Sequence, residues 1–498
     1  MLGKLQQRIP SRFLRNFLLV GMAQGMALLL NAWLLHLLSN CWLGVENFGA
    51  YMIARRLVST VAALALLGLD VSVARYVAYA PSKARSYLGI GLVLIAGSAG
   101  LTLLAALAGA GTFSVLLFGS PGYEQLLLAT AIFTAGYLLY VVVYGYWQGR
   151  QQMEVASSSQ VIYVLIPLIL GFLFFKSEGS RDVADLARFL YLSGALVTIV
   201  SLLFLLAATP RLVWDWQALG ELVHYGVPRM PSGFLLMVTF SLPVFLGSAL
   251  ISLDAAAFLG IGLSIFHLLE PAATPLTLVL LPKVSELTGS NQREILDRLS
   301  ETTISFALHL ATCVSLLSPG LAREIVVLWF GRDYVSAAPI AMVNLVGAGF
   351  YMAYVVLRGL LDAVSVKPVV TYLTFASALV TLLTGFGLAA WGMIGLAWSL
   401  ALGMMVLGVG ALYGVMRLTG VKPRHERWEV WVSLALMGAL VSLADWGCGQ
   451  LFFWASLAGK MGIRLIGMVA IGSLFWRLKV PWFEELRSRI LPRRVVTE

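Results

Sequence analysis

The stretch NFLLVGMAQGMALLLNAWLLHLL, residues 16–38, decides the fold. It is longer than the about 20 apolar residues that carry an α-helix across a bilayer core about 30 Å thick, and it contains no Asp, Glu, Lys or Arg. Lys4, Arg8, Arg12 and Arg15 precede it. A signal peptide would show a shorter apolar region and a small-residue cleavage site. This run instead closes on Leu38-Ser39-Asn40-Cys41, so it reads as a retained first helix. Comparable runs recur as far as Trp476. Hydrophobic residues make up 60% of the 498 and charged residues 12%, about half the charged share of an ordinary soluble domain. The mean hydropathy of +0.89 leaves no room for a large soluble domain and excludes a soluble α/β enzyme.

Working outward from that helix, the apolar runs predict about fourteen transmembrane helices, at 17–38, 47–69, 87–110, 125–147, 156–175, 187–207, 227–250, 256–281, 302–321, 337–357, 369–390, 394–415, 430–448 and 458–476. The connections near Ile251–Ala255 and Trp391–Gly392 are very short. Thr209–Gly226 and Pro282–Glu301 are the longer loops on one side, and Arg293, Glu294, Asp297, Arg298 and Glu301 suggest a charged surface helix. Beyond Trp476, Trp482, Phe483, Leu486 and Ile490 have the spacing of an amphipathic segment on the membrane surface.

Orientation follows from Lys and Arg, which are enriched in cytoplasmic loops. With the N-terminus inside, 25 of them fall on the cytoplasmic side and seven (Lys176, Arg181, Arg188, Arg323, Arg332, Lys460, Arg464) on the other. Arg55 and Arg56 are assigned to the interior of a span and to neither side. Both termini are therefore expected in the cytoplasm of a bacterial inner (plasma) membrane. The net charge of +10 reflects basic loops and their attraction to anionic membrane lipid, not nucleic acid. Cys41, Cys313 and Cys448 lie far apart, so neither a disulfide framework nor a metal site is signalled.

An internal repeat is legible. Leu117-Phe118-Gly119 with Tyr123 precedes a helix containing Tyr140-Val141-Val142-Val143-Tyr144-Gly145, and Trp329-Phe330-Gly331 with Tyr334 precedes Tyr354-Val355-Val356-Leu357-Arg358-Gly359. Phe48-Gly49 and Phe258-Leu259-Gly260 stand at a compatible offset. Six spans separate corresponding helices, so the repeat is parallel, about an axis along the membrane normal. The expected organisation is an N-lobe at 1–210, a C-lobe at 211–420, two further helices at 421–476 and a basic cytoplasmic tail at 477–498. Such a pair of six-helix lobes suits alternating access.

Leu43-Gly44-Val45-Glu46-Asn47-Phe48-Gly49-Ala50-Tyr51, Leu67-Gly68-Leu69-Asp70 running into Val73-Ala74-Arg75-Tyr76-Val77-Ala78, Gln148-Gly149-Arg150 and Phe330-Gly331-Arg332-Asp333-Tyr334 together resemble the Wzx-type polysaccharide/oligosaccharidyl-lipid flippases of the MOP (MATE-like) superfamily, in order over roughly residues 15–420. The resemblance implies two six-helix lobes in a V and the movement of an undecaprenyl-diphosphate-linked oligosaccharide from the cytoplasmic to the periplasmic leaflet. Its partners would be membrane lipids, that substrate and other polysaccharide-assembly membrane proteins. The lipid II branch pattern, an arginine pair soon followed by an acidic residue and glycine, is missing, because Leu57-Val58-Ser59-Thr60 follows Arg55-Arg56.

Charged residues inside spans usually face a protein interior or a watery cavity. Arg55 and Arg56 lie roughly 12 Å along their helix at 1.5 Å per residue. Either they anchor at the headgroups or at least one lines a cavity and meets an anionic headgroup. Gln24 and Asn31, seven apart, share a face of the first helix, and Asn31 should sit at the depth of Arg55. Tyr137, Tyr140, Tyr144 and Trp147 fall within one arc of their helix, and Tyr140 and Tyr144 are candidates to stack on sugar. His267, Glu270, Thr274 and Thr277 form a polar stripe beside Pro271 and Pro275. A protonatable Glu with a neighbouring His is what coupling to a proton or sodium gradient needs. Lone His36 and His309 read as packing residues. No cofactor and no metal are expected. Two other classes stay open. A MATE-like cation-coupled exporter would want acidic residues in the N-lobe cavity. A membrane glycosyltransferase or ligase would want a large external loop bearing acidic or histidine residues.

Overall fold

The computed structural model describes residues 11–175, 182–208, 215–270, 293–365, 368–421 and 453–477, together with residues 284, 434, 438, 439, 441–443, 445 and 447. Every regular element among them is helical. Hydrocarbon offers no partner to an open peptide group, and an α-helix satisfies its own. Ten helical stretches among the described residues are long and apolar enough to cross a membrane. One of these, Val369–Thr419, contains two helices that turn at Ala389–Trp391. The chain is a multi-pass membrane protein.

Two compact units divide within one helix, the first Met1–Ala257 and the second Phe258–Glu498. The first contains α1 (Ser11–Leu37), α2 (Val45–Ala65), α3 (Leu69–Tyr79), α4 (Ala84–Phe118), α5 (Glu124–Gly149), α6 (Met153–Phe174), α7 (Val183–Ala208), α8 (Trp216–Gly226), α9 (Met230–Leu250) and the start of α10 (Leu253–His267). Here α5 packs on α7 and α4, α1 on α6, and α2 on α9 and α5. The second contains α11 (Arg293–Leu317), α12 (Ala322–Phe330), α13 (Ala338–Val364), α14 (Val369–Leu388), α15 (Gly392–Thr419) and α16 (Phe453–Arg477). Its core is α13 against α15 and α11, with α14 against α15.

Three departures from the sequence reading have local causes. The run expected as one helix over 47–69 breaks at Leu66–Gly68, where Leu67 (φ 52) and Gly68 (φ 75) are both left-handed. The Gly226 backbone lies against Gly68 where a side chain would stand, so a glycine is required there on both counts. The loop Thr209–Gly226 holds a helix, α8, whose first turn is capped by Asp215 Oδ1, which accepts from Gln217 N at 2.9 Å and Ala218 N at 3.2 Å. Lys83 Nζ donates to Gln217 at 2.8 Å and Tyr87 donates to Glu221, which fix α8 on α3 and α4. The charged stretch from Arg293 is the first part of α11, not a separate helix.

The placement of charge also needs a correction. Lys460 and Arg464, read as external loop residues, lie inside α16 and are buried (6% and 5% exposed). Of the expected span 430–448 eight residues are described, and of the tail beyond Trp476 only Arg477. The repeated motif is shared in part: Gly119 (φ 73, ψ 1) and Gly331 (φ 91, ψ 173) both take positive φ after helix ends at Phe118 and Phe330 but differ in ψ, and Tyr123 and Tyr334 sit buried in the 3₁₀ turns that follow.

Candidate functional site

A cavity of about 470 Å³ opens inside the first unit among α1, α2, α5, α6, α7 and α9. α2 forms its principal wall with Tyr51, Ala54, Arg55, Val58, Ser59, Ala62 and Ala63. These fall at three- and four-residue intervals, one face of a helix. Arg56 is rotated about 100° from its neighbour. It is buried to 5% exposure and stands outside the lining. Packing thus separates two arginines that the sequence leaves equivalent. Asn31 lines the cavity from α1, while Gln24 is exposed and outside it.

The electrostatics are sparse. Among the lining residues Arg55 is the one cation and Asp70 the one anion. Arg55 Nη1 is buried with no hydrogen-bond partner among the described residues. The nearby Ser59 hydroxyl is already engaged, donating to the Arg55 carbonyl at 3.0 Å. A guanidinium partly withdrawn from bulk water attracts an anion more strongly than a fully solvated one. Asp70 lies past the end of α2, where burial pushes its carboxyl above the usual range and the Val71 N–H draws it back.

The aromatic wall comes from two helices. Tyr137 on α5 and Tyr163 on α6 line the cavity with ring centroids 5.5 Å apart. Tyr140 stacks on Tyr163 at 4.5 Å and 10°, beside a separate void of about 10 Å³, room for about one water. Tyr144 sits 5.9 Å beyond Tyr140. Tyr137 and Tyr163 thus belong to the cavity lining, and Tyr140 and Tyr144 do not. Tyr51 could have been found from the sequence, being one turn before Arg55. Tyr163 could not, since only the packing of α6 on α5 brings it there.

In the second unit, His267 Nδ1 lies 3.2 Å from Glu270 Oε2, and Tyr351 from α13 donates to Glu270 Oε1 at 2.9 Å. The sequence brings His267 and Glu270 together and misses Tyr351. Thr274, Thr277, Pro271 and Pro275 lie outside the described residues. His309 is buried, with Nδ1 2.7 Å from the Ser305 carbonyl and its ring edge-on to Phe475. Among the described residues no three His, Cys, Asp or Glu side chains gather as a metal site requires.

Comparison with known proteins agrees with this architecture. The profile of a family described as "Polysaccharide biosynthesis protein" matches residues 13–288. The fold is similar to that of the lipid II flippase MurJ in an inward closed conformation, at 16% identity over 92% of this chain and 99% of that chain, with a TM-score of 0.65. It is similar to an inward-facing multidrug resistance MATE family transporter of the MOP superfamily, at 18% identity over 81% and 96%, with a TM-score of 0.57. A MOP superfamily transporter from Pyrococcus furiosus, described as having a binding pocket of reverse polarity, matches at 14% identity over 82% and 95%, with a TM-score of 0.51. No curated protein matches in sequence. At these identities the solved structures speak for the fold, and the MOP-like fold expected from the sequence is borne out.

Proposed function

The chain belongs to the polysaccharide biosynthesis protein family, and from that premise we propose that it is a flippase for a diphosphate-linked oligosaccharide on a polyprenyl carrier, moving it from the cytoplasmic to the periplasmic leaflet of a bacterial inner membrane by alternating access. The observation that carries this reading is Arg55, the one cation in the lining of this cavity, with Nη1 buried and unengaged among the described residues. Arginine stays charged in such a place and its planar fork fits phosphate oxygens two at a time. Asn31 adds a neutral donor, and the rings of Tyr51, Tyr137 and Tyr163 offer surfaces on which sugar rings can pack. A single arginine also suits release, because a dense cationic cluster would hold a diphosphate too tightly to let it leave. His267, Glu270 and Tyr351 are the proposed coupling group for a proton or sodium gradient.

The test is translocation of a fluorescent lipid-linked oligosaccharide by the purified chain in proteoliposomes. Losing a hydrogen-bonded charge contact of about 1.5–3 kcal/mol lowers the rate about 10- to 150-fold in Arg55→Ala, with Arg55→Lys recovering part of it. Arg56→Ala, away from the cavity, lowers yield and leaves the rate per molecule close to wild type. An Arg55→Ala protein that translocates at the wild-type rate overturns the reading.

A further inference from the structure

α2 has a second cavity on its other face. A crevice of about 710 Å³ lies between α2, α4 and α5, within the roughly 300–1,000 Å³ common for ligand sites. Its walls are apolar, with Leu57, Val61 and Leu64 from α2, Leu101 and Ala105 from α4, and Ala131 from α5. Four hydroxyls also line it, and each donates back to its own helix: Ser98 to Ile95 O at 3.2 Å, Thr102 to Ser98 O at 2.9 Å, Thr130 to Leu126 O at 2.7 Å and Thr134 to Thr130 O at 2.7 Å. The side chains have no donor left for a polar guest. An empty space of this size would forfeit packing contacts along its whole lining, and apolar voids do not hold water well. The crevice suits a hydrocarbon chain.

The two spaces come close at two places. Leu66 lines the Arg55 cavity and Leu67 the crevice, at the left-handed break after α2; on α5, Phe133 lines the cavity and Thr134 the crevice. A lipid-linked anion must keep a charged head and an apolar chain in different surroundings at once. We propose that the substrate's polyprenyl chain lies in this crevice while its diphosphate is held at Arg55 across α2, an assignment that rests on the flippase reading above.

Two glycines of α4 make the test clean. Gly97 lines the crevice and Gly100 does not, and at each an added Cβ meets no atom within 4 Å. Gly97→Phe therefore fills the crevice, and Gly100→Phe is its matched control. Proteoliposomes are given a fluorescent disaccharide diphosphate on either a long polyprenyl chain or a geranyl chain. Gly97→Phe lowers translocation of the long-chain substrate about ten-fold relative to Gly100→Phe, through lost burial of chain methylenes, and leaves the geranyl substrate within about two-fold. Equal loss for both chains, or loss for neither, overturns the assignment. Independently, a long-chain substrate with a diazirine at its chain end labels wild-type residues 97–106 and 127–134. Labelling there at equal yield by a phosphatidylcholine with an acyl diazirine gives the crevice to bulk lipid and overturns the assignment too. A wild-type protein that moves neither substrate overturns the flippase reading, and the photolabel then judges the crevice alone.

Discussion

A site in each unit holds cations within the helices in opposite ways. In the second unit, Lys460 donates to Glu324 at 2.7 Å and to the Gly320 carbonyl at 3.2 Å. Arg464 grips both oxygens of Asp445 at 2.7 Å and donates to the Leu317 carbonyl at 2.6 Å. These side chains tie α16 to the turn between α11 and α12. In the first unit, Arg55 lies against an open cavity with Nη1 unengaged among the described residues. The same residue type thus does two jobs. A buried cation matched by a carboxylate of its own unit is architecture. One left facing a cavity keeps a place for an anion from outside.

The largest expected effect tests the architectural half of that contrast. Breaking a buried pair by removing one partner costs about 3–5 kcal/mol, because the other charge stays buried and uncompensated. Arg464→Ala should therefore lower folded yield and thermal stability in detergent sharply, measured by fluorescence-detected size-exclusion chromatography against temperature. Replacing both partners, Arg464→Met with Asp445→Leu, should recover most of the loss. Arg55→Ala should melt near wild type while losing transport. If Arg55→Ala is as unstable as Arg464→Ala, the two cations are of one kind and the contrast fails.

Glu270 sharpens the contrast from within the second unit, since its partners include a histidine, charged only when protonated, and a tyrosine. A charge crossing 100 mV contributes about 2.3 kcal/mol, which is about 50-fold in the distribution it can sustain. In vesicles with an imposed gradient, Glu270→Gln should remove the gradient-driven accumulation and leave gradient-free exchange intact. Undiminished accumulation would return the group to a packing role.

Much of this was legible in the chain, for physical reasons that also set its limits. Length and hydropathy alone place the first helix, since a bilayer accepts only long apolar segments. The Arg55-Arg56 pair could be seen, but the choice between them could not, because a helix turns about 100° per residue and only tertiary packing says which side is hollow. Lys460 and Arg464 were misplaced because their helix carries charge, and a counter-charge that makes burial tolerable, Glu324, lies 136 residues away from Lys460. Gly68 belongs to the Leu67-Gly68-Leu69-Asp70 motif. Its left-handed break stayed hidden because the residue that closes on it, Gly226, is brought there by α8.

Asp70 gives the smallest effect and the one whose sign separates two kinds of transporter. It lines the same cavity as Arg55, but from α3, past the break at Leu66–Gly68. For a separation on the order of 20 Å, between a dielectric of about 80 and one of about 20, its charge acts on a bound unit anion with about 0.2–0.8 kcal/mol, or about 1.4- to 4-fold in affinity. Burial raises the Asp70 carboxyl, so it becomes neutral at a higher pH than an ordinary aspartate. Above that pKa the carboxylate repels a diphosphate, and below it the repulsion is gone. Wild-type affinity for a soluble diphosphate sugar, measured by calorimetry, should therefore rise modestly as the pH falls through the raised pKa. Asp70→Asn should bind at the higher level throughout and show no such rise. A cation exporter would behave the other way, because its acidic residue attracts the substrate: acidification and Asp70→Asn would both weaken binding of an organic cation. A diphosphate affinity that falls in Asp70→Asn would mean that Asp70 holds the cavity open for Arg55, and that the two charges work as one structural unit after all.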